Sequence, residues 1–381
     1  MKIIIAPDSF KESLSATEVA VAIEEGLKRV FPEATYLKIP MADGGEGTVQ
    51  SLVCATGGKI ISKTVTGPLG ESVPSFFGIL GNGKTAVIEM AAAAGLNQVI
   101  PQKRNPLITT TYGVGELILE ALSHGVDKIC IGLGGSATND AGVGMLQALG
   151  LRFLDRDGME LGFGGGKLGD IDIIDVSGLD KRLESITIEV ACDVDTPLVG
   201  DNGASAIFGP QKGATQEMVE LLDNNLHHFA DCVQAKIGKD IRNVPGSGAA
   251  GGLGAGILAF LNSELKSGIN LVMEATDLDL HLADATIVIT GEGKIDNQTM
   301  YGKTPIGVAQ AAKKHNLPVI AIAGHLGKDS HIVQEHGIDA LFSVVPGVVE
   351  LDTALNNARE YIVNCAENIG RIMKIGMGFK G

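Results

Sequence analysis

Residues 2–30 have the sequence KIIIAPDSFKESLSATEVAVAIEEGLKRV, which predicts a strand, a loop and a helix in that order. Lys2 to Ala6 is rich in β-branched residues, and Ser15 with Glu18 forms a capping-box pattern that begins a helix. Behind this cap, apolar residues recur at helical spacing: Val19, Ile23, Leu27 and Val30. A strand that leads through a short loop into an amphipathic helix is the repeating unit of a parallel sheet.

The same unit recurs at both ends of the chain. Thr35 to Ile39 predicts a second strand, followed by a loop over Met41 to Gly47 and a helix to Ala55. From Asp284 onward the pattern returns, with predicted strands at 286–290, 319–323 and 340–344 and predicted helices from Thr304, near Asp329 and from Asp352. We therefore expect both termini to build one α/β domain, a Rossmann-like, doubly wound parallel sheet.

The middle of the chain has a different pattern. Residues 73–80 and 84–90 flank Gly81-Asn82-Gly83, a hairpin signal that belongs to antiparallel pairing. This change predicts a domain boundary after Gly67-Pro68, and 381 residues fit two domains. The sequence thus predicts a discontinuous domain of residues 1–68 and 283–381, and an inserted α/β domain of residues 69–282 with a mixed sheet. The active site is expected in the cleft between them.

Composition excludes several classes of protein. A formal net charge of -15 disfavours binding to nucleic acid or anionic membranes, and the absence of Trp removes aromatic surface for stacking bases. No segment approaches a charge-free span of membrane length, and Asp8 interrupts the N-terminal apolar run before it resembles a signal peptide. The five cysteines form no C-x-x-C pair, and the eight histidines form no zinc-binding pattern. We expect a cytoplasmic protein with reduced thiols.

Two loops that follow predicted strands carry charged side chains. Asp8-Ser9-Phe10-Lys11 places a carboxylate and an ammonium three residues apart, at the edge where open α/β sheets bind ligands. The alternative is a helix-entry loop with a surface ion pair. Residues 40–48, PMADGGEGT, place Asp43 and Glu46 among glycines that permit close approach to a ligand. Here the alternative is a flexible turn whose acid favours the next helix N-terminus.

A glycine loop, GLGGSATND at residues 132–140, lies between a predicted strand at 128–131 and a predicted helix at 141–149. Backbone amides in such a loop, together with the helix dipole, favour an anion. The loop matches neither the P-loop spacing nor the G-x-G-x-x-G spacing, and tight strand-to-helix packing gives the same composition. The polar residues Ser136, Asn139 and Asp140 favour a nucleotide-phosphate loop.

Three further segments complete the set of candidates. Asp193 follows the β-rich run at 186–190 and is a candidate base or metal ligand. Residues 246–254, GSGAAGGLG, either hold phosphate or let helices pack closely. Residues 290–298, TGEGKIDNQ, alternate acids and lysines in a predicted loop, and Gly302-Lys303-Thr304-Pro305 opens the next helix. Carboxylates near Mg²⁺ and lysines near phosphate suit phosphoryl transfer, in which catalysis is mostly positioning and charge neutralisation.

Seven motifs, in order and nearly end to end, resemble those of the bacterial type I glycerate kinases: APDSFKESLSA (6–16), PMADGGEGT (40–48), GLGGSATNDAGVGML (132–146), ACDVDTPL (191–198), GPQKGA (209–214), GSGAAGGLG (246–254) and TGEGKIDNQT (290–299). The resemblance implies ATP and D-glycerate as substrates, 2-phosphoglycerate as the product, and one Rossmann-like domain with a distinct inserted domain. Thr196 departs from the fourth motif, where asparagine is expected, whereas Asp193 matches it.

Each role in phosphoryl transfer has a candidate side chain. Lys11 and Lys303 are assigned to phosphate or the substrate carboxylate, together with Ser9 and Asp43 at the substrate. Asp43 or Asp296 is assigned to Mg²⁺, and Asp193 or Asp8 accepts the hydroxyl proton. Nucleotide contacts are assigned to Gly134, Gly135, Ser136, Asn139, Asp140 and Gly248.

Several alternatives stay open at this point. The chain is also compatible with a kinase that gives 3-phosphoglycerate or acts on another small hydroxy acid. From a different class, a non-catalytic module that senses a metabolite is a distant alternative. The sequence leaves the oligomeric state open between a monomer and a homodimer.

Overall fold

The computed structural model describes residues 1–300 and 303–378 of the chain. Its strands are β1 (Lys2–Pro7), β2 (Thr35–Lys38), β3 (Lys59–Thr66), β4 (Ser72–Ile79), β5 (Thr85–Glu89), β6 (Lys128–Gly132), β7 (Arg152–Leu154), β8 (Ile173–Asp175), β9 (Thr187–Ala191), β10 (Ser263–Lys266), β11 (Ile287–Ile295), β12 (Val319–Leu326) and β13 (Ala340–Ser343). Its α-helices are α1 (Ala16–Lys28), α2 (Thr48–Thr56), α3 (Ala91–Ala94), α4 (Tyr112–Ser123), α5 (Val143–Ala148), α6 (Ala204–Phe208), α7 (Gln216–Ile237), α8 (Ala249–Phe260), α9 (Gly268–Ala275), α10 (Leu278–Leu282), α11 (Thr304–Lys314), α12 (Leu351–Asn356) and α13 (Ala358–Gly378).

The chain forms two compact units. The first unit comprises Met1–Asp43, Gln50–Gly57 and Ile269–Gly381, and the second comprises Gly44–Val49 and Gly58–Gly268. Strand β3, which precedes residue 68, pairs with β4 in the sheet of the second unit. The predicted division at residues 68 and 282, and the cleft between the two domains, stay predictions.

The first unit is built on a five-stranded parallel sheet. Its order is β13-β12-β11-β1-β2, and each neighbouring pair is parallel. Counted along this unit, the strands follow the 2-1-3-4-5 order of flavodoxin-like doubly wound folds. The order reverses between β1 and β11, and ligands of such sheets bind beyond the carboxyl ends of the two strands at this switch point. The predicted doubly wound parallel sheet is confirmed.

The first helix begins where the sequence predicts. The Ser15 hydroxyl accepts from the Glu18 amide at 3.3 Å, and the Glu18 carboxylate accepts from the Ser15 amide at 2.9 Å. This capping box satisfies two amides at the start of α1. The buried face of α1 packs against the sheet and against α13, and Gly26 permits the close contact because a Cβ there would overlap the Val363 carbonyl.

The second unit is built on a six-stranded mixed sheet. Its order is β10-β9-β6-β5-β4-β3, with parallel pairing from β10 to β5 and antiparallel pairing from β5 to β3. The hairpin predicted around Gly81-Asn82-Gly83 is confirmed as β4 and β5. A small antiparallel pair, β7 and β8, lies outside this sheet. Within the described residues, no helix is both long and apolar enough to cross a bilayer.

Three predictions of local structure are wrong. Residues 291–295 continue β11 instead of forming a loop, because Lys294 and Ile295 still pair with β12 beyond the end of β1. The segment near Asp329 is the 3-10 helix Ser330–His336 rather than an α-helix. The helix predicted at 141–149 begins only at Val143, because Ala141 and Gly142 take left-handed conformations, with φ of 53° and 74°.

Candidate active site

Polar side chains meet at the switch point of the first unit. Strand β1 ends at Pro7, which lies opposite Gly291 of β11, and the Asp8 amide donates to the Gly291 carbonyl at 2.8 Å. Asp8 therefore lies beside Glu292, the residue after Gly291. The Asp8 carboxylate accepts from the Ser9 amide at 2.6 Å and from the hydroxyl of Thr304, the first residue of α11, at 2.7 Å. The loop after β1, β11 and the start of α11 are thereby joined.

Glu292 is a buried carboxylate at this point. It is 8% exposed; its Oε1 accepts from the Thr299 hydroxyl at 2.5 Å, and its Oε2 lies 3.8 Å from Lys303 Nζ. Burial raises the pKa of Glu292 to about 7, and the charges of Asp8 and Asp296 raise it further against the opposing effects of Thr299 and Lys303. No role was predicted for Glu292, because the catalytic and metal-binding roles of the predicted loop at 290–298 were assigned to Asp296.

We refer to Asp8, Glu292, Asp296 and Lys303 as the switch-point cluster. Burial raises the pKa of Asp8, and the nearby charge of Asp43 raises it further. The Thr304 hydrogen bond and the charge of Lys11 oppose this rise. The Asp296 carboxylate forms an ion pair of 2.8 Å with Lys294. In the first unit, the predicted residues Asp43 and Lys11 thus lie within electrostatic range of Asp8. The predicted residues Asp8, Asp296 and Lys303 lie within electrostatic range of Glu292. The predicted Gly302 lies outside the described residues.

The donor set can be compared with what Mg²⁺ requires. Within residues 1–300 and 303–378, no group of three or more His, Cys, Asp or Glu side chains is arranged to hold a metal ion. Mg²⁺ in phosphoryl-transfer sites is nevertheless held by one or two carboxylates plus substrate phosphates. The buried carboxylate of Asp296 fits that requirement, while the assignment of Asp43 and Asp296 as ligands stays a prediction.

A second group of motifs meets in the second unit, at the edge of its sheet where β5, β6 and β9 end. Glu89, Gly132 and Ala191 are neighbours in register at these ends. The segment Gly44–Val49 packs on this edge: a Cβ on Gly132 would overlap the Gly44 carbonyl, and one on Gly44 would lie 2.5 Å from the Ala191 methyl. The PMADGGEGT, GLGGSATND and ACDVDTPL motifs are thus brought together.

Glu89 holds this segment in place. Its carboxylate accepts from the Val49 amide at 2.8 Å and also from the amides of Gly47 and Thr48, at the start of α2. Burial raises the pKa of Glu89, and these amides oppose the rise. A protein carboxylate thus occupies the anion-binding end of the helix. Sequence reasoning missed Glu89, because it lies forty residues from the amides that it binds.

The glycine loop at 132–140 has an exposed half and a buried half. Gly134 and Gly135 are exposed, whereas Ser136 is 7% exposed and Asn139 and Asp140 are buried. The Asp140 carboxylate accepts four bonds, from the Thr111 amide and hydroxyl and from the amides of Gly142 and Gly144. The Asn139 amide donates to Ser205 Oγ at 3.0 Å. These bonds fix the loop from within, and the nucleotide contacts of its residues stay predictions.

Two other predicted residues pack against backbone. Asp193 Oδ1 accepts from the Gly268 amide at 2.9 Å, where the chain leaves the second unit. A Cβ on Gly248 would overlap the Pro197 carbonyl, so this glycine permits the GSGAAGGLG segment to contact the ACDVDTPL segment. Of the two roles that the sequence left open for GSGAAGGLG, close packing has direct support. A nucleotide contact of Gly248 stays a prediction.

The raised pKa of Glu292 has a consequence for stability. Between pH 4.5 and about 7 the folded protein binds more protons at this site than the unfolded chain does, so this contribution to stability is present below pH 4.5 and is lost as pH rises through 7. We expect Glu292→Gln to be more stable than the parent protein at pH 8, by up to about 3 kcal/mol. Urea denaturation at pH 5 and pH 8 measures this, and an equal difference at both values would contradict it.

Comparison with known proteins places the chain in a family. Residues 3–374 match the family model described as Glycerate kinase family. The chain is 60% identical to Glycerate kinase of Bacillus subtilis (strain 168), with 98% of each chain covered. It is 56% identical to Glycerate 2-kinase of Escherichia coli (strain K12), with 99% of each covered. The crystal structure of a candidate glycerate kinase 2 from Salmonella typhimurium LT2 covers 100% of each chain with a TM-score of 0.92 and 53% identity.

These matches extend over both units, and the structural match includes the parallel and the mixed sheet. The resemblance that the seven motifs indicated is confirmed. The chain belongs to the glycerate kinase family, whose members are phosphotransferases with an alcohol group as acceptor.

Proposed function

We propose that the protein transfers the terminal phosphoryl group of ATP to D-glycerate and that the product is 2-phosphoglycerate. The name Glycerate 2-kinase of the Escherichia coli relative supports the position of transfer. The observation that carries the proposal is the switch-point cluster, in which buried carboxylates lie beside Lys303 at the ligand-binding edge of a doubly wound sheet. Binding an anion alone does not require so many carboxylates, which argues against a metabolite sensor.

Each charged group of the reaction is assigned to particular residues of the protein. Lys303 and the N-terminus of α11 supply positive charge for phosphate oxygens, and Lys11 and Ser9 lie close to Asp8 for the carboxylate of the substrate. Asp43 or Asp296 would hold Mg²⁺, which supplies charge neutralisation on the phosphates when bound. Nucleotide contacts are assigned to the 132–140 loop through Gly134, Gly135, Ser136, Asn139 and Asp140, and to Gly248. The candidates that the sequence offers for the group that accepts the hydroxyl proton are Asp193 and Asp8.

The experiment is a coupled assay of ADP release. With ATP, Mg²⁺ and D-glycerate we expect turnover, and with L-glycerate or with ATP alone we expect none. Phosphorus and proton NMR of the product separates 2-phosphoglycerate from 3-phosphoglycerate. Calorimetric binding of the substrates without ADP release would contradict a kinase and favour a sensor.

The cellular setting is proposed on sequence grounds. We propose a cytoplasmic location, in which thiols stay reduced; the cysteines of the described residues are free thiols. We expect a monomer or a homodimer, which light scattering coupled to size-exclusion chromatography measures.

A further inference from the structure

One carboxylate of the switch-point cluster has no role in the assignments above. Glu292 lies on β11 directly after Gly291, the residue that pairs with the last residue of β1. It therefore lies on one of the two strands between which the strand order reverses, the position where this fold binds ligands. A side chain at this position is carried by a paired strand and not by a loop, which fixes its direction.

The other candidate bases are already engaged. Both oxygens of Asp8 accept hydrogen bonds, from Ser9 and Thr304. Asp296 forms an ion pair with Lys294, and Asp193 Oδ1 accepts from the Gly268 amide. Each of these carboxylates thus has at least one oxygen already held by a partner in the protein.

Glu292 is arranged differently. Its Oε1 is held by the Thr299 hydroxyl, which fixes the carboxylate plane. Among the residues that the structure describes, the ion-pair partner of Oε2 is Lys303 Nζ, and their 3.8 Å separation exceeds a hydrogen bond. Oε2 can thus accept a proton, and Lys303, which is assigned to phosphate, lies beside it.

We propose that Glu292 is the general base, whose Oε2 accepts the proton of the substrate hydroxyl as the hydroxyl oxygen attacks the terminal phosphorus of ATP. This inference rests on the proposed kinase activity. The alcohol O–H bond breaks and its proton binds Glu292, while the alcohol oxygen bonds to phosphorus. The bond from that phosphorus to the bridging oxygen of ATP breaks, and its electron pair leaves with ADP. The proton passes to water after the products leave.

The protonation behaviour of the residue agrees with this role. A base works best when its pKa is near the working pH, and burial raises the pKa of Glu292 to about 7. The charged groups that influence it are Lys303, which lowers the pKa, and Asp8 and Asp296, which raise it. Because the base must be ionised, kcat/KM should fall tenfold per pH unit below about 7.

The test compares pH profiles of kcat/KM for the parent protein, Glu292→Gln and Asp193→Asn. We expect E292Q to lose about 10² to 10⁴ in kcat, to keep its KM for ATP, and to lose the acid limb of the profile. D193N should keep the acid limb in place. An E292Q enzyme that keeps the limb, or a D193N enzyme that loses it, overturns the proposal and leaves the kinase activity intact.

Two further measurements separate the remaining cases. If E292Q does not fold, Glu292→Asp decides: a reduced kcat with a displaced acid limb supports the role, and an unchanged profile overturns it. If the parent protein releases no ADP with D-glycerate, the proposed function fails, and the base assignment fails with it.

Discussion

Lys303→Met is expected to lower kcat/KM for D-glycerate by about 10² to 10³, the usual loss when one preorganised group that stabilises developing charge is removed. Lys303 lies at the N-cap of α11, with its ammonium 3.8 Å from Glu292 Oε2 and its side chain 40% exposed. A cation at a helix N-terminus is opposed by the helix dipole. The Lys303 ammonium and the positive end of the helix dipole repel each other, so their meeting at one position does not stabilise the fold. A bound anion explains why both are there.

Steady-state kinetics with Lys314→Met as a matched control measures this effect. Lys314 is exposed at the other end of the same helix, so its replacement removes the same charge away from the cluster. K314M should keep the parent kcat/KM. K303M should also move the acid limb to higher pH, because Lys303 lowers the pKa of Glu292. Equal activities of the two variants would exclude Lys303 from phosphate binding.

The sequence predicts the first strand and helix of the first unit well, because neighbouring residues determine them. The strand at 2–6 and the capping box at Ser15 are encoded by adjacent residues, and once the first strand is known to be parallel, Asp8 must lie at its carboxyl edge. The hairpin around Asn82 is local in the same way. The family could likewise be predicted from the sequence, because membership depends on the order of motifs along the chain.

The parts of the site that the sequence misses depend on distant partners. Glycines around Glu292 indicate a loop, yet β11 continues there because β12 offers backbone partners and because Gly293 admits the Phe10 backbone, with a Cβ there 3.3 Å from Phe10 Cα. Glu89 accepts from amides forty residues earlier, and Asp140 accepts two of its four hydrogen bonds from Thr111. Each of these contacts joins residues that are far apart in the chain, so no local sequence pattern predicts them. An acidic residue that stabilises the fold therefore cannot be distinguished by sequence from one that faces a ligand.

Gly251→Ala is expected to cost more than about 4 kcal/mol of unfolding free energy, or to prevent folding of the second unit. Gly251 has a φ of 69° inside α8, where an L side chain is strained. A Cβ there would overlap the Thr138 carbonyl and lie 2.6 Å from Asn139 Cα. The Thr138 carbonyl cannot retreat easily, because it also accepts from the buried ammonium of Lys212 at 2.6 Å. Displacing it would leave that ammonium without its acceptor.

Gly162→Ala is the matched control, because Gly162 is exposed and an added methyl meets no atom within 4 Å. It should change the unfolding free energy by less than about 0.5 kcal/mol. Urea denaturation followed by circular dichroism measures both variants. Since residues 138–140 form the buried half of the glycine loop, a G251A protein that still folds should have a raised KM for ATP if that loop binds nucleotide. A G251A protein as stable as G162A would show that the loop is not held by this contact.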